Sequence, residues 1–338
     1  MTRIKETLET LSRKTGYSTT TVSRVLAGKA EQYRISKEAV RIIKREAEKS
    51  DFIPSSVAQS LRTHRTNTIG LVIPSVDNQY FAHLAHVIIE EARERGLMTI
   101  ILSSMEDESN ERIAIRSLVS RKVDGIILVP SGTDPFFAEE TDETIPIVLI
   151  DRYYTVGSRL SYVGTDNYQG ACDAMRYLVD NGHRRIACIQ GPEDSSPVRE
   201  RTRGYQDVLD QVDPDGYRCI AGDSFTVENG YMETKFLLNS DVPPTAVFAL
   251  SNTILLGAVQ AARESKVSVP GDLSLICFDD SVFMDYLSPA VTRIGQPTYE
   301  IGVLATKLLI KRMNGADIRE NRILLPPKLI LGQSVRSI

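Results

Sequence analysis

The chain has 338 residues, 42% of them hydrophobic and 25% charged, with a formal net charge of −4 at pH 7. That balance suits an ordinary globular protein longer than one typical domain, and it excludes a disordered or fibrous chain. No apolar run approaches the roughly 20 residues that cross a bilayer, and the polar opening MTRIKETLETLSRK lacks the apolar stretch of a secretion signal, so a soluble protein of the cytoplasm is expected.

Residues 1 to 65 carry 14 Lys and Arg against 7 Asp and Glu, whereas the remainder carries 26 against 37. A basic head is what contact with phosphates requires, and an acidic body stays away from them, although a solvated helical face has a similar composition. The four cysteines stand far apart without a CxxC pair, which argues against a zinc cluster or disulfide framework and for buried, reduced thiols.

In chain order, Leu8 and Leu11, then Val22, Val25 and Leu26, then Val40, Ile43 and Ala47 recur at spacings of three and four and predict three short helices. Gly16 separates the first two, Gly28 ends the second, and Ser36 is placed to cap the third. Pro54 then opens a short helix within DFIPSSVAQSLRTHR, at 51 to 65, which should order only when something packs against it.

After Asn67 the pattern changes. Apolar runs at 68–74, 98–104, 124–130 and 145–151, and a second series at 185–191, 245–251 and 273–280, read as buried parallel strands. Between them lie amphipathic helices such as FAHLAHVIIEEARERG and YQGACDAMRYLVDNG, each closed by a glycine. So long an alternation exceeds one sheet, and it predicts two doubly wound parallel sheets in two lobes, with ligands bound in a cleft at the carboxyl ends of the strands.

The sharpest local motif is GYSTTTVSRVLAG, Gly16 to Gly28. Gly16 allows a tight turn, Ser18 caps the following helix, and Val22, Val25 and Leu26 form its buried stripe, leaving Thr19, Thr20, Ser23 and Arg24 facing outward. Short polar side chains near a helix N-terminus suit close approach to base edges, and an Arg one turn later reaches guanine O6 and N7. A capped surface helix with a solvated Arg is the competing reading.

TTVSRVLAG, the downstream YRISKEAV and then IPSSVAQSLR resemble, in order and spacing, the lac and galactose repressor family, and the resemblance covers essentially the whole chain. It implies an all-α helix-turn-helix head at 1–52, a hinge helix and linker at 53–66, and an α/β two-lobed body of the periplasmic-binding-protein type at 67–338. The first lobe would comprise 67–164 and 294–324, and the second 165–293 and 325–338. Thr19, Thr20 and Arg24 would contact bases or phosphates, with Ser18, Thr21 and Ser23 beside them and Ser55 in the hinge. Leu61 falls on the family's minor-groove wedge, which partly unstacks a base step and kinks the duplex; a local hydrophobic contact is the alternative.

In the body the resemblance places Asn78, Tyr80 and Phe81, from DNQYF, at the effector cleft. Asp151 and Arg152 either pair with each other or bind ligand hydroxyls. Arg199, with Arg201 and Arg203 nearby, stands where a ligand-binding arginine belongs, and a forked guanidinium holds two hydroxyls or an acid group. Phe225 takes a stacking position, Asp279 an acidic contact and Gln296 a further cleft position. Ser251 and Asn252 replace the family's usual Asn-Asp pair.

Enzyme readings lack support: no GxGxxG follows a strand, and neither a GxxxxGK[ST] loop nor a GxSxG elbow occurs. His64, His83, His86 and His183 have no companions suited to a metal and are expected at the surface or lobe edges, so neither cofactor nor metal is expected. The resemblance implies a homodimeric repressor of carbohydrate-utilisation genes, bound to a palindromic operator and governed by a sugar or sugar derivative; induction and corepression stay open. A sugar-uptake binding protein would share the body but not the basic head, and an enzyme acting on sugars would show turnover that is lost on Asp279→Ala.

Overall fold

The computed structural model describes residues 6–50, 52, 65–135, 145–154, 160–316 and 322–338. The chain forms two compact units, Met1–Thr66 and Asn67–Ile338. Ser55, Leu61 and His64, with most of the expected hinge, lie outside the described residues.

Each helix among the described residues of the first unit begins at a hydroxyl cap. Thr7 and Thr10 form a reciprocal capping box at α1 (Leu8–Thr15), which ends at Gly16 with φ +74°, a left-handed turn that glycine adopts without a Cβ clash. Ser18 Oγ accepts from Thr21 N at 3.2 Å to open α2 (Thr19–Leu26), and Ser36 Oγ accepts from Ala39 N at 3.2 Å to open α3 (Lys37–Lys49). Leu11, Val22, Val25, Ile43 and Ala47 meet in a small core, flanked by Leu8, Tyr17, Leu26, Val40 and Phe52. The three-and-four spacing of the sequence is thus the spacing of one shared apolar seam.

Among its described residues the second unit contains two six-stranded sheets. The first is ordered β11-β5-β4-β3-β1-β2, from β1 (Thr68–Ile73), β2 (Met98–Ser103), β3 (Gly125–Leu128), β4 (Ile147–Ile150), β5 (Ser161–Thr165) and β11 (Arg322–Leu325), all parallel. The helices α4 (Gln79–Glu94) and α10 (Thr298–Met313) cover one face, and α5 (Glu108–Ser120) packs on the other. The second sheet is ordered β12-β10-β9-β8-β6-β7, from β6 (Ile186–Ile189), β7 (Cys219–Ala221), β8 (Ala246–Ala249), β9 (Ser274–Phe278), β10 (Thr292–Gly295) and β12 (Lys328–Ile330). The helices α6 (Asn167–Asp180) and α7 (Ser196–Val212) pack on one side, with α8 (Val227–Leu238) and α9 (Asn252–Glu264) on the other. Its edge strand β12 runs antiparallel to β10, the one antiparallel pairing among the described strands of the two doubly wound parallel sheets the sequence predicts. A chain returning directly from β11 lacks the crossover that a parallel edge strand requires.

The chain crosses between lobes three times: after β5, after β10 and between β11 and β12. An expected boundary between 293 and 294 would cut β10; the crossing comes after Gly295, because Arg293, Ile294 and Gly295 are all paired to β12. Cys172, Cys188 and Cys277 are buried and Cys219 half-buried, all unbridged. His183, expected at the surface or a lobe edge, is not exposed. It is fully buried, with Nδ1 2.9 Å from Thr245 Oγ1 and Nε2 3.0 Å from the Arg336 carbonyl, and burial lowers its pKa.

Candidate functional site

Parallel sheets direct their strand C-termini to one edge, and here both sheets deliver their loops to the same cleft. From the first lobe come Asn78, Tyr80 and Phe81 after β1, Glu106 after β2, and Asp151 and Arg152 after β4. From the second come Pro197 and Arg201 on α7, Phe225 after β7 and Asp279 after β9, while Gln296 follows β10 at a crossing. Together they line a cleft open to solvent, with about 340 Å³ of empty space when its open mouth is included.

Asn78 accepts from Tyr80 N and so starts α4, which aims the two aromatic rings inward; they meet edge to face at 5.2 Å. Tyr80 donates its hydroxyl to Asp151 Oδ1 at 2.8 Å, and Tyr162 donates to the Asp151 carbonyl at 2.9 Å. Asp151 has φ +62° and Asp279 φ +93°, left-handed conformations that non-glycine residues adopt at a cost of about 1–3 kcal/mol and that concentrate at binding sites. Burial raises the pKa of the Asp151 carboxyl, against the pull of Arg152 and Arg201. The Tyr80 hydroxyl is pushed up by burial and by Asp151 beside it.

Arg152 forks onto Glu106, donating from Nη1 at 2.6 Å and from Nη2 at 2.9 Å, and its guanidinium sits 5.9 Å from the Phe81 ring and 5.5 Å from the Phe225 ring. The open choice for Asp151 and Arg152 is thereby narrowed: they approach only to 3.8 Å, and Glu106 is the arginine's bidentate partner. Across the cleft Gln296 donates to Asp279 Oδ1 at 2.5 Å and accepts from Thr165 at 2.6 Å, while Asn252 N donates to Asp279 Oδ2 at 3.2 Å. Burial pushes the Asp279 carboxyl up to about 6, opposed by Arg201 and by these two donors.

Three sequence expectations change. Arg199 is not at the cleft: it is half-buried, and its Nη1 donates to the Asp194 carbonyl. Arg201 lines the cleft instead, stacked 3.7 Å over Phe278 and donating to Asn167 Oδ1 at 2.8 Å and to the Leu250 carbonyl at 2.6 Å. Helix geometry explains the exchange, since Val198, Arg201, Tyr205 and Val208 share the buried face of α7 and Arg199 points off it. Ser251 and Asn252 stand one layer back: Ser251 caps α9, and Asn252 braces Asp279 through its backbone and Ser281 through its amide. Glu106 and Pro197 went unforeseen. Pro197 lies in the segment that carries Arg199 and Arg201 but was not singled out there, whereas Glu106 sits in no motif and only the fold brings it to Arg152.

In the first unit Thr19 and Thr20 are exposed on the first turn of α2, while Thr21, Ser23 and Arg24 are half-buried. Ser18 and Thr21 hydroxyls bond each other at 2.9 Å, so both serve the cap. Arg24 lies 3.8 Å over the exposed ring of Tyr33, a residue the motif did not single out, and a ring face attracts the guanidinium without neutralising it. Among the described residues no helix is long and apolar enough to cross a membrane, and no cluster of His, Cys, Asp and Glu is placed to hold a metal.

The family model of the periplasmic binding protein-like domain matches residues 175–335. The ribose operon repressor of Escherichia coli K12 is 30% identical over 330 residues, covering 96% of this chain and 98% of its own. A transcriptional regulator from Enterococcus faecium with bound ribose is 28% identical, with a TM-score of 0.73, and covers 80% of this chain and 99% of its own. The lac repressor dimer bound to operator and an anti-inducer shares the fold at a TM-score of 0.87 and 22% identity, covering 98% of this chain and all of its own. With a basic helix-turn-helix ahead of a two-lobed sensor, and a relative of that identity spanning nearly its whole length, the chain belongs to the lac and galactose repressor family of bacterial transcription regulators.

Proposed function

We propose that the protein represses carbohydrate-utilisation genes in the cytoplasm, binding a palindromic operator as a homodimer under the control of a sugar-like effector held between the lobes. Thr19, Thr20, Ser23 and Arg24 read or grip the major groove, with Ser18 and Thr21 at the backbone; Ser55 and Leu61 act in a hinge at 53–66, Leu61 as the wedge. The effector cleft uses Asn78, Tyr80, Phe81, Asp151, Arg152, Arg201, Phe225, Asp279 and Gln296.

The observation that carries this reading is the pairing within one cleft of two buried carboxylates, Asp151 and Asp279, with two buried guanidinium groups and the faces of Phe81 and Phe225. Carboxylates accept from ligand hydroxyls, guanidiniums donate to them, and aromatic faces cover the C–H surface of a sugar ring. The ribose named for two relatives supports a ligand of that class. Two-fold symmetry of the protein is the natural match for a palindrome.

Selection of bound sequences from random duplex DNA tests the reading. A palindrome should be enriched, and Arg24→Ala should relax preference at one position in each half-site, at a cost of about 1–3 kcal/mol. Failure to enrich any symmetric site would refute it.

A further inference from the structure

We propose that Glu106 is the charge filter of the effector cleft: by filling the fork of Arg152 it makes the site accept an uncharged sugar and reject the matching sugar acid or sugar phosphate. The inference rests on the effector reading of the cleft and names the class of ligand that reading left open. Among the described residues the lining holds three carboxylates, Glu106, Asp151 and Asp279, against two guanidiniums, Arg152 and Arg201. One negative charge is left over. Burial raises the Asp151 carboxyl and the Glu106 charge adds to the rise, while burial also raises Asp279, to which Asp151 adds. An incoming anion therefore enters a space of low dielectric in which negative groups already oppose one another.

Neither arginine stands ready for an acid group. Arg152 is buried, its Nη1 and Nη2 both donate to Glu106, Nη1 also lies 3.4 Å from the Pro130 carbonyl, and Nε faces Asp151 at 3.8 Å. The bidentate fork is what a guanidinium offers a carboxylate or phosphate of a ligand, so Glu106 occupies the place that such a group would take. Arg201 directs Nε and Nη1 to neutral acceptors, the Asn167 amide oxygen and the Leu250 carbonyl, and its charge acts on Asp151 and Asp279 together. Discrimination of this kind is a difference of affinities, produced here by a repulsive element rather than by an added contact.

The backbone holds Glu106 in this role. Met105 and Glu106 are consecutive non-glycine residues in the left-handed region, at φ +54° and +57°, a conformation that is energetically unfavourable and that concentrates at ligand sites. The turn is fastened on both sides. Met105 N donates to Ser103 Oγ at 3.3 Å, Asp107 N donates to the Ser104 carbonyl at 3.0 Å, and the Asp107 carboxylate accepts from Asn110 N at 2.8 Å to cap α5. A glutamate that served only the surface needs no such turn. The Glu106 side chain is 42% exposed, yet it is aimed at a buried guanidinium 46 residues along the chain. Neighbouring Glu108 behaves otherwise, pairing at 2.9 Å with Arg112 on its own helix and taking no part in the lining.

Calorimetry on the full chain tests the filter with matched pairs: glucose and glucuronate, galactose and galacturonate, glucose and glucose 6-phosphate, ribose and ribose 5-phosphate. In each pair that binds, the parent should favour the neutral member by at least about thirtyfold. Glu106→Gln keeps the shape of the side chain and removes its charge, and it should gain at least about tenfold in absolute affinity for the anionic member. Glu106→Ala should gain in the same direction. A gain of affinity is a result that simple loosening of the loop does not give. Glu108→Gln, which removes a nearby charge without freeing Arg152, should leave the ratio of neutral to anionic affinity within about twofold. If the parent binds an anionic member as tightly as its neutral counterpart, if neither Glu106 variant gains affinity for the anion, or if Glu108→Gln gains as much, the filter is refuted while the effector cleft stands. If no compound of either kind binds parent or variant, the effector reading falls and the filter with it.

Discussion

At the scale of single residues, the exchange of Arg199 for Arg201 has the clearest consequence. Arg201 is 3% exposed, stacked on Phe278 and aimed into the cleft, so Arg201→Ala should weaken effector binding by at least tenfold in calorimetry; Arg199→Ala should leave it within threefold. The periodicity that separates them was present in the sequence, since 198, 201, 205 and 208 repeat the helical stripe, but a family motif aligned by position does not report helix phase. Asp279 adds a pH dependence. With its carboxyl pushed up to about 6 from an ordinary 3.8, the folded protein holds this proton more tightly than the unfolded chain. The group therefore favours folding at low pH and loses that contribution as pH rises from about 4 through 6, by up to roughly 3 kcal/mol. Urea denaturation should show Asp279→Asn gaining on the parent between pH 4 and 7; a constant difference would count against the assignment. Effector affinity should run the other way, falling below about pH 6 as the acceptor is protonated, and becoming flat in Asp279→Asn.

Elements were read with uneven success, for physical reasons. Six of the seven strands foreseen from apolar runs are central ones buried on both faces, such as TIGLVI in β1 and SLICF in β9; the seventh, β2, is a half-buried edge strand whose MTIILS run is still apolar enough to be seen. Five others escaped. β5 reads SYVGT and β10 TRIG, where polar residues and glycine break the run, β7 and β12 have three residues each, and β11 alternates exposed with half-buried positions. Strands that are very short, broken by polar residues or glycine, or alternately exposed carry too little apolar sequence to announce themselves. Helix packing makes a sharper prediction. A Cβ on Gly257 of α9 would stand 2.0 Å from the Val227 carbonyl oxygen and 2.4 Å from Tyr231 N on α8, backbone atoms that cannot turn aside. Gly257→Ala should therefore destabilise the second unit by about 1–3 kcal/mol in thermal or urea unfolding, despite its better helix propensity. Ala258→Gly, one position along the same helix, should cost only what the loss of a methyl group and of helix propensity demands.

The whole molecule joins a small basic head to a larger sensor, and its two halves were legible to different degrees. The head was readable almost residue by residue, because caps at Ser18 and Ser36 and the seam from Leu11 to Ala47 are local features. The cleft was readable as a location, the carboxyl ends of strands, but its ion pair of Arg152 with Glu106 spans 46 residues of sequence and exists only after both loops reach one edge. A sensor of this kind controls DNA binding only if the ligand distinguishes two states of the protein, with a coupling of about 1–3 kcal/mol. Linkage then makes the effect reciprocal, so operator should alter sugar affinity by the same factor. The most direct measurement is fluorescence anisotropy of a selected, labelled palindrome titrated with the full chain, with and without a saturating sugar shown by calorimetry to bind. Operator affinity should change by roughly 5 to 150-fold, in either direction, and the change should vanish in Arg201→Ala. An affinity identical in the presence and absence of every sugar that fills the cleft would contradict control of DNA binding by this site.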